Sequence, residues 1–506
     1  MTVRPPVPES NTPIGRESTD RFLQQHRLLL PPVGRLVAGL LAVAAAGFAI
    51  AAPAQAFTRT DQLLAMGDGV SLASSFYAPD GAPPAGGWPA VLVLHRIGGS
   101  RGTVSEIAEQ YLAPQGYAVL TVDARGHGES SGQSTFVGSR ELADYAAALT
   151  WLRARPGVSD AKVGAMGFSL GGGSVWKLLT APGARLAAAV PIMTWTSLYD
   201  ALLPQGFAKA GLVASFRALL PEERWDPTVR ALADDALFNR NLPGILEFAR
   251  ERSVRNDLER IRTPVFMIHG RRDYAFDMDQ ALSAFGRLKG PKRLYLGDLG
   301  HTPAANPAPE RGYYLAQARL WFDRYLKGQL NGIDTRPRIE LAPDPWTGKT
   351  TQYARQPARR VLRLRFRGTK TIEGNGKVVR TVAPTRRLNE TFGTPLAAIK
   401  ASSTTRWPHL VVVLSALTTR GEEIVVSQGG AHTPTLSARK RLITVRLLSQ
   451  ATTVQRGSRF RLTIAGASTL QHQDNQLYPI SAPSAARVTI GEAKLVLPIL
   501  KPPISR

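Results

Sequence analysis

The sequence predicts an α/β protein with a doubly wound, mostly parallel sheet and a helical cap, joined to a C-terminal all-β sandwich. Three observations carry this. Between Ala90 and Ile192 short apolar runs alternate with helix-length segments, as expected for strands covered by helices on both faces. The stretch Gly167-Phe168-Ser169-Leu170-Gly171-Gly172 stands between a strand-like and a helix-like segment. Beyond Gly332 the helix signals stop, and short strands separated by Gly, Pro, Ser and Thr take over.

At 506 residues the chain exceeds one ordinary core, so two domains with accessory segments are expected. Hydrophobic content of 43% and charged content of 20% are those of a globular protein. There are no cysteines, which excludes disulfides, thiolate metal sites and a cysteine nucleophile. The eight histidines are scattered without a pair at helical ligand spacing, so neither a metal nor a cofactor is expected. Of the net charge of +25, the segment from Gly332 to Arg506 holds +19, with 28 Lys/Arg against 9 Asp/Glu. Such a surface reads first as a solvated face. Its functional counterpart is an anionic cell-surface polymer as partner. No recognition helix, zinc finger or RNA-binding signature accompanies the charge, and no nucleic acid is expected.

Residues 1–34 are rich in Pro, Arg and polar residues. Arg35 then precedes the apolar run Leu36–Ala52, which ends in Pro53-Ala54-Gln55-Ala56. A basic flank, a short apolar core and a small-x-small site predict a secretory signal peptide cleaved after Ala56. An uncleaved anchor is the alternative. The flank is longer than a leader needs, which a start downstream of Met1 would explain. Residues 1–56 are therefore assigned to an N-terminal extension and signal peptide.

Residues 57–331 carry the strand–helix alternation. Gly69–Tyr77, Ala90–Leu94, Tyr117–Asp123 and Lys162–Met166 read as strands, and 104–112 and 139–154 as helices. After a strand at Leu186–Ile192, residues 199–256 have helical periodicity and form the predicted cap. The sheet resumes with Pro264–Gly270 and Lys292–Leu296, and a helix at 311–327 closes the domain. Residues 332–506 form the sandwich. There Val361–Arg367 alternates apolar residues with Arg, and His409–Leu414, Glu423–Ser427, Leu442–Leu447 and Phe460–Ala465 are further strands. Trp346-Thr347-Gly348-Lys349-Thr350 is a near-miss to a phosphate-binding loop. Pro343 stands where the first glycine belongs, and no strand precedes it.

A serine on a sharp strand-to-helix turn is lifted clear of the sheet, and its neighbours two residues away must nearly lack side chains. Gly167 and Gly171 fill those places, and the Leu170 N–H falls at a helix N-terminus, where an oxyanion is favoured. A hydroxyl nucleophile needs a base and a group that orients the base. In α/β hydrolases these follow in the order Ser, Asp, His, on loops after strands. Here Asp273 follows the strand ending Gly270, and His301 follows the strand ending Leu296. Ser169 is thus predicted as nucleophile, His301 as general base then acid, and Asp273 as orienting carboxylate. Asp277 is a rival to Asp273 but reads as a helix cap, and Asp298 reads as a turn residue. His95, His127 and His269 lie at or beyond strand ends, where bonding to backbone is the ordinary role. The second oxyanion donor should come from the loop after Ala90–Leu94, at Ile97.

The chain resembles the Xaa-Pro dipeptidyl-peptidase and cocaine-esterase-like acyl hydrolases. The resemblance rests on the sheet, the elbow Gly167–Gly172, the cap and the basic C-terminal β domain, across roughly residues 60–500. That family has a jelly-roll domain at the C-terminus, and His409–Leu414 and Gly457–Leu462 resemble its strands. The resemblance implies a small-molecule ester or a short Xaa-Pro peptide as substrate and hydrolysis through an acyl-enzyme. Relatives of the cocaine-esterase type use a tyrosine hydroxyl after the first of these strands as oxyanion donor. No tyrosine lies between Leu94 and Gln110 here. A peptidase would need a carboxylate for the free ammonium, for which Asp200, Glu222, Glu223 and Asp226 stand in the cap. A surface-binding protein with an inactive hydrolase domain is the reading from another class. Oligomeric state is not encoded in any pattern found.

Overall fold

Runs of small and β-branched residues, buried on both faces, build the centre of the molecule. The structure is a computed structural model and describes residues 56–501 apart from 406, 408, 434–435, 467–476 and 479–484. The predicted leader, up to Gln55, lies outside the described residues. Among the described residues no helix is long and apolar enough to cross a membrane.

Ten strands form the main sheet: β1 (Phe57–Ala65), β2 (Ser71–Pro79), β3 (Trp88–Leu94), β4 (Ala118–Val122), β5 (Val158–Phe168), β6 (Ala188–Ile192), β7 (Val265–Gly270), β8 (Lys292–Gly297), β9 (Ile339–Leu341) and β10 (Thr351–Tyr353). Their spatial order is β1-β2-β4-β3-β5-β6-β7-β8-β9-β10. The strands from β4 to β9 run parallel, and the edge strands at both ends are antiparallel. The sheet therefore extends past residue 331, where composition had drawn the boundary. Ile339 and Leu341 are buried beside β8, and most of the basic residues that set the boundary follow β10.

Helices α1 (Ser139–Arg153) and α2 (Leu170–Leu178) pack on one face of this sheet. The cap is four helices, α3 (Leu198–Leu202), α4 (Ala210–Arg217), α5 (Pro227–Leu237) and α6 (Leu242–Glu251). Then α7 (Asp279–Arg287) joins α1 and α2, and α8 (Ala308–Leu326) covers the opposite face. The helix expected over 104–112 is irregular: one 3₁₀ turn at Arg101–Val104 is followed by a wide π turn at Ile107–Leu112. Pro114 and the left-handed Gly116 stop it one turn later.

The C-terminal strands are β11 (Arg359–Phe366), β12 (Lys370–Glu373), β13 (Lys377–Pro384), β14 (Asn389–Glu390), β15 (Leu396–Ser403), β16 (His409–Leu417), β17 (Glu423–His432), β18 (Arg441–Arg446), β19 (Thr453–Val454), β20 (Arg459–Ala465) and β21 (Arg487–Leu500). They form antiparallel sheets, one ordered β11-β21-β15-β18 with β12 also on β21, the other β13-β20-β16-β17. Their inner faces share one apolar core. On β11 the arginines point outward, as the alternation predicted. On β16 both faces are buried: Leu410, Val412 and Leu414 enter the sandwich core, while Val411 and Val413 pack against Phe207 and Tyr274 of the catalytic half.

One side chain clamps the two halves. Arg271, just beyond β7 and 1% exposed, donates through Nε to the Ala451 carbonyl (3.1 Å) and through its Nη groups to the Ala342 carbonyl and the Glu390 carboxylate. The Ala451 N–H returns a bond to the Arg271 carbonyl (2.8 Å). Removing the guanidinium leaves one partly buried carboxylate and two carbonyls without their donor. Arg271→Met is expected to lower stability by about 3–5 kcal/mol in urea unfolding, and an unchanged midpoint would show that the clamp is not needed.

Candidate active site

The turn between β5 and α2 forces Ser169 to φ 51°, ψ −109°, a conformation costly for any residue with a side chain. The glycines around it are dictated by space. A Cβ on Gly167 would lie 2.3 Å from the Gly171 carbonyl oxygen, and one on Gly171 would lie 2.5 Å from that of Leu94. The serine backbone is pinned on both sides: its N–H donates to the Ile192 carbonyl (3.0 Å), and its carbonyl accepts from Thr194 Oγ1 (2.8 Å).

Three loops meet at this turn. Ser169 Oγ lies 3.0 Å from His301 Nε2, and His301 Nδ1 lies 2.9 Å from Asp273 Oδ2. Asp273 is fully buried. Its Oδ2 also accepts the His301 N–H (3.1 Å), and its Oδ1 accepts the N–H groups of Ala275 (2.8 Å) and Phe276 (3.0 Å). Burial alone would raise this carboxyl, but the charge and hydrogen bond of His301, with backbone N–H groups, hold it below the ordinary aspartate value. Gly300 makes the approach feasible, because a Cβ there would sit 2.3 Å from Asp273 Oδ2. The imidazole is flanked edge-on by Phe276 (ring centroids 5.0 Å apart) and Phe216 (6.0 Å).

Leu170 and Ile97 lie together in one buried cluster with Phe136, Trp195, Phe216 and Phe276. The Gly171 N–H is taken by the His95 carbonyl (3.1 Å), whereas the Leu170 N–H opens α2 and has no carbonyl a turn behind it. The cap descends onto the Ile97 loop. A Cβ on Gly98, at φ 65°, would come 2.8 Å from Leu219 Cβ.

The rival residues have other partners. Asp277 does not cap α7; its Oδ2 accepts the Ser449 N–H of the sandwich (2.8 Å). Burial, with Asp279 nearby, pushes it up to about 6. Asp298 accepts the Ala305 N–H and closes a turn. His269 Nε2 meets the carbonyls of Phe276 (2.9 Å) and Asp277 (3.1 Å). His95 donates from Nδ1 to the Arg96 carbonyl (2.7 Å) and accepts at Nε2 from the Ala124 N–H (2.9 Å), which fixes a neutral ring.

Two groups that support the site did not stand out in the sequence. Lys209, fully buried at the start of the cap, donates from Nζ to the carbonyls of Tyr274 (2.8 Å) and Ala275 (3.2 Å), the residues after Asp273. Its burial lowers the ammonium to about 8, against the pull of Asp277 and Asp273. A lone cation in the apolar run Phe207–Val213 was the available signal. Phe136 and Val137 both adopt positive φ (55° and 64°), and Phe136 stacks on Trp195 at 5.6 Å. Phe136 and Phe216 also wall an apolar chamber among the cap helices, with Trp225, Val213, Ala233 and Phe248.

Residues 68–303 match the family model of the X-Pro dipeptidyl-peptidases (S15 family). This segment, somewhat under half of the chain, is similar to that family. A protein of Streptomyces avermitilis whose name assigns it to the Xaa-Pro dipeptidyl-peptidases is 27% identical over 270 residues, covering 48% of this chain and 39% of that one. The chain thus spans about two fifths of the length of this curated relative. Among solved structures, a CocE/NonD family hydrolase from Staphylococcus aureus superposes with TM-score 0.68 at 15% identity, covering 88% of this chain and 94% of the other. An alpha-amino acid ester hydrolase superposes with TM-score 0.64 at 14% identity, covering 91% and 99%. The architecture is therefore the α/β-hydrolase fold with an attached β-sandwich, and the shared fold takes in both halves.

The histidines outside the site carry a pH consequence. Burial lowers His95 to about 4; His127, whose ring lies 5.1 Å away, is lowered to about 3 by burial and then by His95. Both are neutral in the fold, while an unfolded chain binds a proton at each below about 6.5. Stability should fall as pH drops from about 6.5 towards 4, by on the order of 3 kcal/mol from His95 alone. Thermal melts at pH 7, 5.5 and 4.5 would test this, and His127→Asn should make the slope shallower.

Proposed function

We propose that the chain is an exported serine hydrolase that cleaves esters of apolar acyl groups through an acyl-enzyme. The observation that carries this is the continuous bonded path from Ser169 Oγ through both nitrogens of His301 to Asp273, joining residues from three separate loops. With Nδ1–H held by a carboxylate, Nε2 is the ring's free base and faces the hydroxyl. It takes the proton as Oγ attacks the acyl carbonyl and returns it to the leaving alkoxide. Oγ then carries the acyl group, and water admitted beside His301 repeats the sequence in reverse. Leu170 and Ile97 are assigned as the N–H donors to the oxyanion, in a dry setting where such bonds stabilise charge most.

The family leaves ester and Xaa-Pro peptide open, and the cap favours the ester. A free ammonium needs an uncommitted carboxylate. Asp200 is bonded to Arg255 (2.5 Å), Glu222 to Arg217 (3.0 Å), and Asp226 faces Arg140 at 3.9 Å, while Glu223, without an ion pair among the described residues, does not line the chamber. The chamber that shares its Phe216 wall with His301 is lined by apolar and aromatic residues and two arginines, with no carboxylate. Such a chamber gains about 0.8 kcal/mol for each methylene it buries, near fourfold in kcat/KM. Export is supported by the apolar run Leu36–Ala52, and the first strand begins at Phe57, directly after the predicted cleavage site. An inactive binding module has no use for a strained serine turn, which weighs against that alternative.

Ser169→Ala is expected to abolish labelling by a fluorophosphonate probe while leaving the circular dichroism unchanged; undiminished labelling would refute the assignment. With residues 57–506, p-nitrophenyl butyrate and octanoate should be cleaved faster than the acetate, and Xaa-Pro anilides not at all. Ala233→Trp, which fills the chamber, should shift the preference to short chains while sparing acetate turnover. Xaa-Pro turnover above that of the esters would transfer the reading to the peptidase.

A further inference from the structure

At the opposite end of the sheet from Ser169, the turn between α7 and β8, Trp321 and Tyr325 of α8 and the 333–338 loop line an open concavity. Its walls are basic. Lys289, Lys292, Arg293, Arg336 and Arg338 line it, with Asp334 as their sole acidic companion. That carboxylate is committed, accepting from Arg324 Nε at 2.6 Å.

The cations are poorly neutralised. Arg293 is paired with Glu340. Neither Lys292 nor Arg336 has a carboxylate partner among the described residues: Lys292 Nζ donates to the Leu288 carbonyl (2.6 Å) and lies 5.2 Å over the Phe285 ring, and Arg336 meets the neutral Gln317 amide (3.2 Å). Lys289 and Arg338 make no side-chain hydrogen bond or ion pair among the described residues. Burial, with Arg338 and Lys289 close by, lowers the Lys292 ammonium below the ordinary lysine value. Beneath this lining, Trp321 Nε1 and Arg293 Nε are buried without an acceptor among the described residues, on side chains 1% exposed. Native structures rarely leave such groups unmatched. Four like charges gathered in a concavity are unfavourable until an anion enters, and a multiply charged oxyanion accepts from guanidinium and ammonium groups together.

We infer that this concavity is an oxyanion-binding site for a phosphate or sulfate group, separate from the acyl site at the other end of the strands. The group is either free in solution or the terminal group of an anionic lipid. Its position, about six strand residues or roughly 20 Å from the reacting serine, makes it a tether or effector site and not a substrate subsite.

The test is calorimetric titration of residues 57–506 with pyrophosphate at constant ionic strength, beside co-sedimentation with phosphatidylcholine vesicles with and without phosphatidic acid. Saturable pyrophosphate binding, weakened at least tenfold in Lys289→Glu/Arg338→Glu with p-nitrophenyl ester turnover unchanged, is expected for a soluble anion. Binding only to phosphatidic acid vesicles, lost in the same variant, would assign the group to a lipid. The milder Arg336→Gln, expected to weaken binding several-fold, serves if the double variant loses its circular dichroism. No saturable binding to either probe, or equal binding by the variants, would overturn the site. Ester turnover reads the acyl site independently, so failure here leaves that assignment untouched.

Discussion

The structure turns on one buried carboxylate. Asp273 has no solvent contact, and an anion so placed survives only if every lone pair is met. The loop Gly270–Met278 supplies part of that demand from its own N–H groups at Ala275 and Phe276, and His301 supplies the rest from its ring and backbone. The loop must hold its shape for those donors to converge. Three bodies hold it: the sheet through the Arg271 N–H on Gly297, the cap through Lys209, and the sandwich through Ser449, Ala451 and Glu390. In the catalytic half alone the Arg271 guanidinium would keep only the Ala342 carbonyl, and the Asp277 carboxylate would lose the Ser449 N–H. The β-sandwich is therefore part of the frame of the site.

A second constraint is local. The serine turn stores strain, and its neighbours are glycines because carbonyl oxygens fill the space a methyl group would need. Strain persists there because the Ile192 carbonyl and the Thr194 hydroxyl fix the backbone from β6, and α2 begins at once. Phe136 and Val137 hold a comparable departure nearby, and Arg252 secures it by donating to the Phe136 carbonyl (2.9 Å). The strained segments thus sit on the rim that faces the cap, where Phe136 leaves the turn to line the apolar chamber.

How much of this was legible in the chain follows from the range of each interaction. Period and composition report on burial one residue at a time, so the parallel strands, the cap segment and the sandwich strands could be read directly. The order Ser, Asp, His with each residue just beyond a strand was also local information, and those side chains meet. Contacts made across hundreds of residues leave no such trace. Arg271 looks like any loop arginine until Ala451 and Glu390 arrive from the other half, and Asp277 looks like a helix cap until Ser449 lies beside it. For the same reason β9 and β10 were read outside the sheet: three-residue strands carry no period, and the basic segment that follows them set the boundary. The pocket chemistry was equally hidden, because Phe136, Phe216 and Phe248 come from segments more than thirty residues apart.

These constraints also bear on why a cap sits where it does. Ser169 is 2% exposed, and Leu219 presses on the loop that carries Ile97, so the observed state is closed. A closed site keeps water from competing for the oxyanion donors and strengthens their bonds, yet deacylation needs a water at His301. His301, with 22% of its side chain exposed, is the one member of the three that solvent reaches. Water can therefore approach the base without entering the apolar chamber. An acyl group seated against Phe216 would leave that approach open while covering the rest of the site. Under the proposed ester hydrolysis, the same aromatic wall would hold the acyl group and leave the water path to His301 free.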